Sequence, residues 1–268
     1  MEPHPDFLII GAQKCGTTWL HRSLEQHPSI RMPPGKDGGF FCYRSTRTTS
    51  ATEEYASQFF REPHERIAGE STAAYFWTRS GSMWARQPEG FEEDIPRRIR
   101  ETLGAETKLL LCLRNPVERA VSAWLHHVAQ GTLGLETPLL GVGRALGIID
   151  MGFYSRHLEN WLRHFPLENF YIMVIEDDIV HKPLTTLRKV YDFLGVSDSA
   201  GLVQPTQRVY PGTPRFIDSS GVHGVGMDDK KRPLVDRPTL DRLVEIYRED
   251  VHTLGDILGR DIVRLWRF

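Results

Sequence analysis

An α/β fold, a parallel sheet flanked by helices in one domain spanning residues 1–268, is predicted by three observations. Short continuous apolar runs recur along the chain, as in strands buried on both faces. Segments with helical periodicity separate them, the alternation that gives a parallel sheet. A glycine-spaced loop joins the first run to the first helix, a strand–loop–helix order that suits a phosphate-binding loop.

The elements follow in order. Phe7 to Ile10 is too short for a helix and fits a buried strand. Gly11 to Gly16 is a loop, and Thr17 to about Gln26 reads as a helix ended by His27-Pro28. Arg66 to Glu70 is a candidate short strand. Lys108 to Leu113 is a second apolar strand, closed by Arg114. Asn115-Pro116-Val117-Glu118 then opens a helix, with Asn as cap, Pro at the first position and Glu two residues on. Phe170 to Ile175 makes a third apolar strand. Pro183 to Leu194 is a helix with Leu184, Leu187, Tyr191 and Leu194 on one face. Leu240, Leu243, Val244, Tyr247, Val251, Leu254 and Leu258 form the stripe of a C-terminal helix. The stretches 32–53, 78–94, 130–150 and 196–238, rich in Gly, Pro and polar residues, read as loops.

Composition sets bounds on function. Of 268 residues, 40% are hydrophobic and 25% charged, as in ordinary soluble globular proteins. The 33 basic and 35 acidic side chains leave a net charge of -2, so no general affinity for nucleic acid or a membrane surface is expected. No 18-residue apolar stretch and no basic N-terminal leader occur, and a cytoplasmic location is expected. Cys15, Cys42 and Cys112 are too scattered for a disulfide framework or a zinc site. Cys15 lies inside the glycine loop, where it reads as a filler of the loop or as a nucleophile.

The segment FLIIGAQKCGTTWL carries the chemistry. Gly11 and Gly16 keep the spacing of a nucleotide-triphosphate loop, but Thr17 stands where its Lys belongs, followed by Thr18. The fold class is P-loop-like, with the lysine displaced to Lys14 in the loop's middle. A helix N-terminus presents unpaired N–H groups and a positive dipole end to an anion. Gly16 lets the backbone approach, and the hydroxyls of Thr17 and Thr18 add donors. Arg114, at the carboxyl end of the second strand, and Ser122, two turns into the next helix, suit a second phosphate, since ligands of open α/β sheets gather at that edge. Arg114 alternatively pairs with Glu118, and Ser122 is alternatively an ordinary helix hydroxyl.

GAQKCGTTWL and LLLCLRNPVERAVSAWLHH resemble the two signature segments of sulfotransferases that use 3'-phosphoadenosine 5'-phosphosulfate (PAPS). GESTAAYF, GFYSRHLENWLRHFP and LVEIYREDVHTLGDILGRDIVRLW are similar to segments of the carbohydrate branch, which includes heparan-sulfate enzymes and soluble bacterial relatives. The resemblance runs from about residue 7 to residue 266. It implies the sulfotransferase fold, PAPS as donor with no metal required, and a hydroxyl of a carbohydrate or small molecule as acceptor. It places the 5'-phosphosulfate on Lys14, Cys15, Gly16, Thr17, Thr18 and Trp19, and the 3'-phosphate on Arg114 and Ser122. Lys231 and Arg232 resemble the basic loop that closes over PAPS, although the family's Lys-Gly-Arg is not preserved. Lys14 would act catalytically beside the bridging oxygen.

The family's catalytic Glu falls on Asp37 in Lys36-Asp37-Gly38-Gly39-Phe40-Phe41, the expected general base. Gly39 replaces the family's His, and Ser71 stands where a related segment has Lys. Two glycines make the loop pliable. Other candidate bases are Glu70, His126 and His127. Glu176-Asp177-Asp178 suits solvation or capping of the next helix better than a metal site. Trp77, Trp84 and Trp124 fit core packing, with an acceptor cleft as the alternative. Two competing functions are a magnesium-dependent phosphotransferase, disfavoured by the missing lysine, and a nucleotide-binding module without turnover. Acceptor identity and oligomeric state are not written in these motifs.

Overall fold

The computed structural model describes residues 4–59, 67–142, 146–197, 215–218, 221–227 and 233–268. They fall into two compact units. The first takes the described residues of Met1–Arg79, Pro88–Leu113 and Leu158–Val209, and the second those of Ser80–Gln87, Arg114–His157 and Tyr210–Phe268.

The first unit is built on a parallel sheet. Strands β1 (Phe7–Gly11), β2 (Ile30–Arg31), β3 (Ile67–Ser71), β4 (Lys108–Leu113) and β5 (Phe170–Val174) lie in the order β2-β3-β1-β4-β5. Phe7 pairs with Gly69 on one side and Lys108 on the other, and Leu109 pairs with Phe170. Every residue of β1 is buried, as are all but the first of β4, which is why both read as unbroken apolar runs. β5 stops one residue earlier than expected, and Ile175–Ile179 forms a single π-helical turn.

Helices α1 (Thr17–Glu25), α2 (Thr49–Ser57), α3 (Ile95–Leu103) and α6 (Pro183–Leu194) belong to this unit. α1 buries Trp19, Leu20 and Leu24, and α6 buries Leu187, Val190, Tyr191 and Leu194 and ends on the left-handed Gly195. The first half of α2 lies in a stretch expected to be loop. Thr48 caps it by accepting from Ala51 N–H, and Tyr55 and Ala56 are its buried residues. Helix α3 was not expected; it starts on the Asp94 cap with Pro96 in its first turn.

The second unit holds α4 (Pro116–Ala129), α7 (Arg237–Leu258), α8 (Ile262–Trp266) and an antiparallel sheet of β6 (Arg215–Asp218), β7 (Gly221–Met227) and β8 (Pro233–Asp236). Helix α5 (Tyr154–Leu162) begins here and continues into the first unit. The Asn115 side chain accepts from Val117 and Glu118 N–H, the cap that the sequence predicts. β6 to β8 fall in the stretch 196–238 expected to be loop. The three glycines of β7 mask its strand pattern. Leu243, Tyr247, Val251 and Leu254 of α7 are buried as its stripe requires.

Buried polar side chains fix residues 147–157 in this unit. Tyr247 donates to Ile149 O at 2.7 Å, and the fully buried Arg119 donates to the carbonyls of Gly147 and Ile148. Asp250 accepts from Ser155 Oγ at 2.6 Å and from the N–H groups of Ser155 and Arg156. Burial raises the pKa of Asp250 and lowers that of His157, whose Nε2 lies 3.0 Å from Asp150 O. Among the described residues no helix is long and apolar enough to cross a membrane.

Candidate functional site

The loop after β1 is tightly packed and leads straight into α1. Gly11 is packed so closely that a Cβ there would lie 2.6 Å from Phe76 Cβ and 3.0 Å from Ala73 O. Gly16 holds the left-handed conformation (φ 87°) from which α1 springs, with no side-chain cap and no acid in the first turn. The first N–H groups of the helix therefore have no intrahelical acceptor and no acid of their own turn to neutralise them. Lys14 also adopts a left-handed backbone (φ 67°), which costs a side-chain-bearing residue about 1–2 kcal/mol.

Exposure alternates along this loop. Lys14, Gly16 and Thr18 are half-buried, whereas Cys15, Thr17 and Trp19 are buried. Cys15 is fully buried and its thiol points to Gln13 O at 3.6 Å, which favours the loop-filling role over a nucleophile. Trp19 commits its ring to the core, so its backbone N–H is the part that can face a ligand.

The loop bearing Asp37 lies in the same unit. Asp37 is exposed, at φ 64°, and it is fixed at three points. Its N–H donates to Ser71 O at 2.7 Å, its Oδ1 accepts from Ala73 N–H at 3.0 Å, and its Oδ2 pairs with Lys36 Nζ at 2.7 Å. Lys36 Nζ also lies 3.5 Å from Thr17 Oγ1, the first residue of α1. The ammonium thus stands between the start of α1 and the carboxylate. Lys36 is a site residue not expected from the sequence; its place next to Asp37 was the available signal.

Glu70 is buried, contrary to what a base serving an incoming hydroxyl needs. Oε1 accepts from Thr72 Oγ1 at 2.8 Å and Tyr75 OH at 2.5 Å, and Oε2 from Tyr55 OH at 2.6 Å. Burial raises its pKa, against the opposing pull of these three hydroxyls. The other end of the Asp37 loop is held by Arg98 of α3, which donates to the carbonyls of Phe40 at 3.0 Å and Tyr43 at 2.7 Å. Phe40 stacks on Tyr55 with centroids 4.0 Å apart.

In the second unit, Arg114 and Ser122 are both half-buried, at the start of α4 and on its second turn. Arg114 pairs with Glu118 at 2.9 Å, the ion pair foreseen as an alternative. His126 and His127 meet edge to face at the end of α4, centroids 5.7 Å apart. Lys231 and Arg232 lie outside the described residues. Asp178 Oδ2 accepts from Val174 N–H at 2.7 Å and Asp177 pairs with Lys182 at 2.9 Å, so these acids serve the turn after β5. Trp77 and Trp124 are buried in the core, and Trp84 is half-buried.

Comparison with known proteins bears on the family and the fold. The sulfotransferase domain family matches residues 4–209. Human heparan sulfate glucosamine 3-O-sulfotransferase 6 is 30% identical over 272 residues, covering 96% of this chain and 72% of that protein. Its mouse counterpart is 33% identical over the same span. Human heparan sulfate glucosamine 3-O-sulfotransferase 3B1 is 29% identical over 257 residues, covering 91% of this chain and 60% of that protein. The sulfotransferase of Alicyclobacillus acidocaldarius shares the fold with a TM-score of 0.69 at 24% identity, over 99% of each chain. The sulfotransferase domain of the Synechococcus PCC 7002 olefin synthase gives 0.52 at 15% identity, over 97% of this chain and 96% of that one.

Proposed function

The chain belongs to the sulfotransferase family, and we propose that it transfers a sulfuryl group from PAPS to a hydroxyl of a carbohydrate, with Asp37 as proton acceptor. One observation carries the reading: Lys36 joins the anion-binding end of α1 at Thr17 to the carboxylate of Asp37. An electrophile bound at the helix end and a base for its nucleophile are the two requirements of in-line transfer.

In the proposed reaction the acceptor hydroxyl oxygen forms a bond to sulfur while the bond from sulfur to the 5'-phosphate oxygen breaks. The hydroxyl proton passes to Asp37, and adenosine 3',5'-bisphosphate leaves with the electron pair. Lys14 and the N–H groups of Gly16, Thr17, Thr18 and Trp19 stabilise the charge growing on the leaving oxygen, a preorganised electrostatic contribution. By resemblance to the family, Arg114 and Ser122 take the 3'-phosphate, and Lys231 and Arg232 match its basic loop. The carbohydrate acceptor is supported by the heparan-sulfate relatives, whose length this chain spans by 60 to 72% in the human proteins named above.

Thermal denaturation with adenosine 3',5'-bisphosphate, set against ATP with magnesium, tests the donor assignment. A ligand at 100 times its dissociation constant stabilises the fold by about 2.7 kcal/mol. The expected result is a shift with the bisphosphate that Arg114→Ala cuts to about half or less. A shift with ATP and magnesium alone would replace this reading with phosphoryl transfer. Incubation of labelled PAPS with an N-sulfated glucosamine oligosaccharide then tests the acceptor class.

A further inference from the structure

Asp37 sits on a segment with two glycines, Gly38 and Gly39, the latter left-handed at φ 68°. Such a segment loses much conformational freedom when it is ordered, and something must hold it in place. Its backbone donors show what does. Gly39 N–H donates to Thr72 Oγ1 at 3.3 Å, and Phe41 N–H points at Tyr75 OH at 3.4 Å.

Each of these hydroxyls also meets Glu70 Oε1, at 2.8 Å for Thr72 and 2.5 Å for Tyr75. A hydroxyl has one hydrogen to give and lone pairs to receive. The Glu70 oxygen takes the hydrogen of both, which turns their lone pairs toward the amides of Gly39 and Phe41. One buried oxygen thereby sets the direction of two hydrogen bonds that pin the chain just after Asp37. The same turn also accepts Asp37 N–H at Ser71 O and donates Ala73 N–H to Asp37 Oδ1.

We propose that Glu70 is a positioning residue for Asp37, acting through Thr72 and Tyr75 on the loop that carries it. The inference rests on Asp37 being the proton acceptor. It assigns Glu70 no proton transfer of its own, and it needs only an accepting oxygen at Oε1.

That last point makes the role separable from general-base catalysis. Glu70→Gln keeps an oxygen that accepts from both hydroxyls, whereas Glu70→Leu and Thr72→Val break the chain of bonds. Turnover of PAPS with an N-sulfated glucosamine oligosaccharide is measured, together with amide hydrogen exchange at Gly39 and Phe41. The positioning role predicts that Thr72→Val and Glu70→Leu lower kcat by about tenfold or more, since small misplacement of a reacting group is costly. KM for PAPS stays within about twofold, and exchange at Gly39 quickens by about tenfold, the loss of one hydrogen bond. Glu70→Gln matches the parent protein in all three.

Unchanged exchange at Gly39 in Thr72→Val overturns the proposal, and this readout needs no acceptor. So does a Glu70→Gln variant as impaired as Asp37→Asn, because the carboxylate itself would then be taking the proton. Parent-like turnover in Asp37→Asn would remove a different statement, the reading of Asp37 as base, and the exchange result would still decide the clamp on the loop. Thr72→Val, nearly isosteric, covers the case in which Glu70→Leu fails to fold.

Discussion

The ammonium of Lys36 lies 2.7 Å from Oδ2 of Asp37 and 3.5 Å from Oγ1 of Thr17, joining a loop carboxylate to the start of α1. With PAPS bound in the proposed way, the sulfonate oxygens compete with Asp37 for that ammonium. Lys36→Met is expected to lower kcat by about a hundredfold, the scale of losing one charge-stabilising donor. Lys36→Arg should recover part of it. Steady-state kinetics with labelled PAPS decide, and parent-like rates in Lys36→Met would leave the ion pair a surface contact.

Asp37→Asn should lower kcat by about 10² to 10⁴, the range for loss of a general base. Its affinity for adenosine 3',5'-bisphosphate, measured by calorimetry, should stay within about twofold of the parent, since the loop at Lys14 and the residues Arg114 and Ser122 are untouched.

Arg114→Ala is expected to weaken bisphosphate binding by about tenfold or more, because charge-assisted hydrogen bonds to phosphate are among the stronger polar contacts. The same calorimetry reads it. Adenosine 5'-monophosphate, which lacks the 3'-phosphate, should bind parent and variant alike.

Gly16→Ala tests the backbone of the loop. Its φ of 87° is left-handed, and a Cβ would lie 3.2 Å from Ile175 Cδ1. A loss of about 1–2 kcal/mol in unfolding free energy is expected from backbone strain. Bisphosphate binding should weaken as well, because the first turn of α1 would be displaced. Urea denaturation with and without the ligand separates the two effects.

Stability should depend on pH at both ends of the mild range. Burial lowers the pKa of His21 and His157 below the ordinary 6.5. Below 6.5 the unfolded chain binds the extra protons, so their contribution, full above that pH, is lost as pH falls through the folded values. Burial raises Glu70 above its ordinary 4.5, which gives the opposite sign. That contribution is full below 4.5 and is lost as pH rises through the raised value. Unfolding curves should show Glu70→Gln flattening the rising-pH loss and His157→Gln flattening the acid loss.

Local signals made much of this legible in the sequence. β1 and β4 are continuous apolar runs, the Asn115-Pro116 start of α4 is a capping pattern, and the Gly11 to Gly16 spacing marks the loop. The helices α2 and α3 hid in polar stretches, although Thr48 and Asp94-x-Pro96 are themselves start signals. Glycines disguised β7. The proposed role of Glu70 was out of reach because Thr72 and Tyr75 meet it only through the fold of the turn after β3, and Tyr55 only once α2 packs beside that strand. Three isolated hydroxyls carry no pattern, and Glu70 alone reads equally well as a base. Asp37 was legible through resemblance, and Lys36 could have been found as its neighbour, but nothing in the sequence announced the left-handed backbone or the reach of Lys36 to Thr17.

The turn that follows β3 is hydrogen-bonded to two neighbours at once. Thr72 and Phe76 N–H donate to Ile9 and Ile10 O of β1 at 3.0 and 2.8 Å, and Gly11 is packed against Phe76 Cβ. Ala73 N–H of the same turn holds Asp37 Oδ1. Under the proposed reaction, the strand that launches the donor loop and the base that meets the acceptor are therefore measured off one short piece of backbone, like two jaws cut on a single gauge. Substitutions that broaden the range of acceptors would have to work from the surrounding loops and leave that gauge alone, because moving it would shift both reactants together.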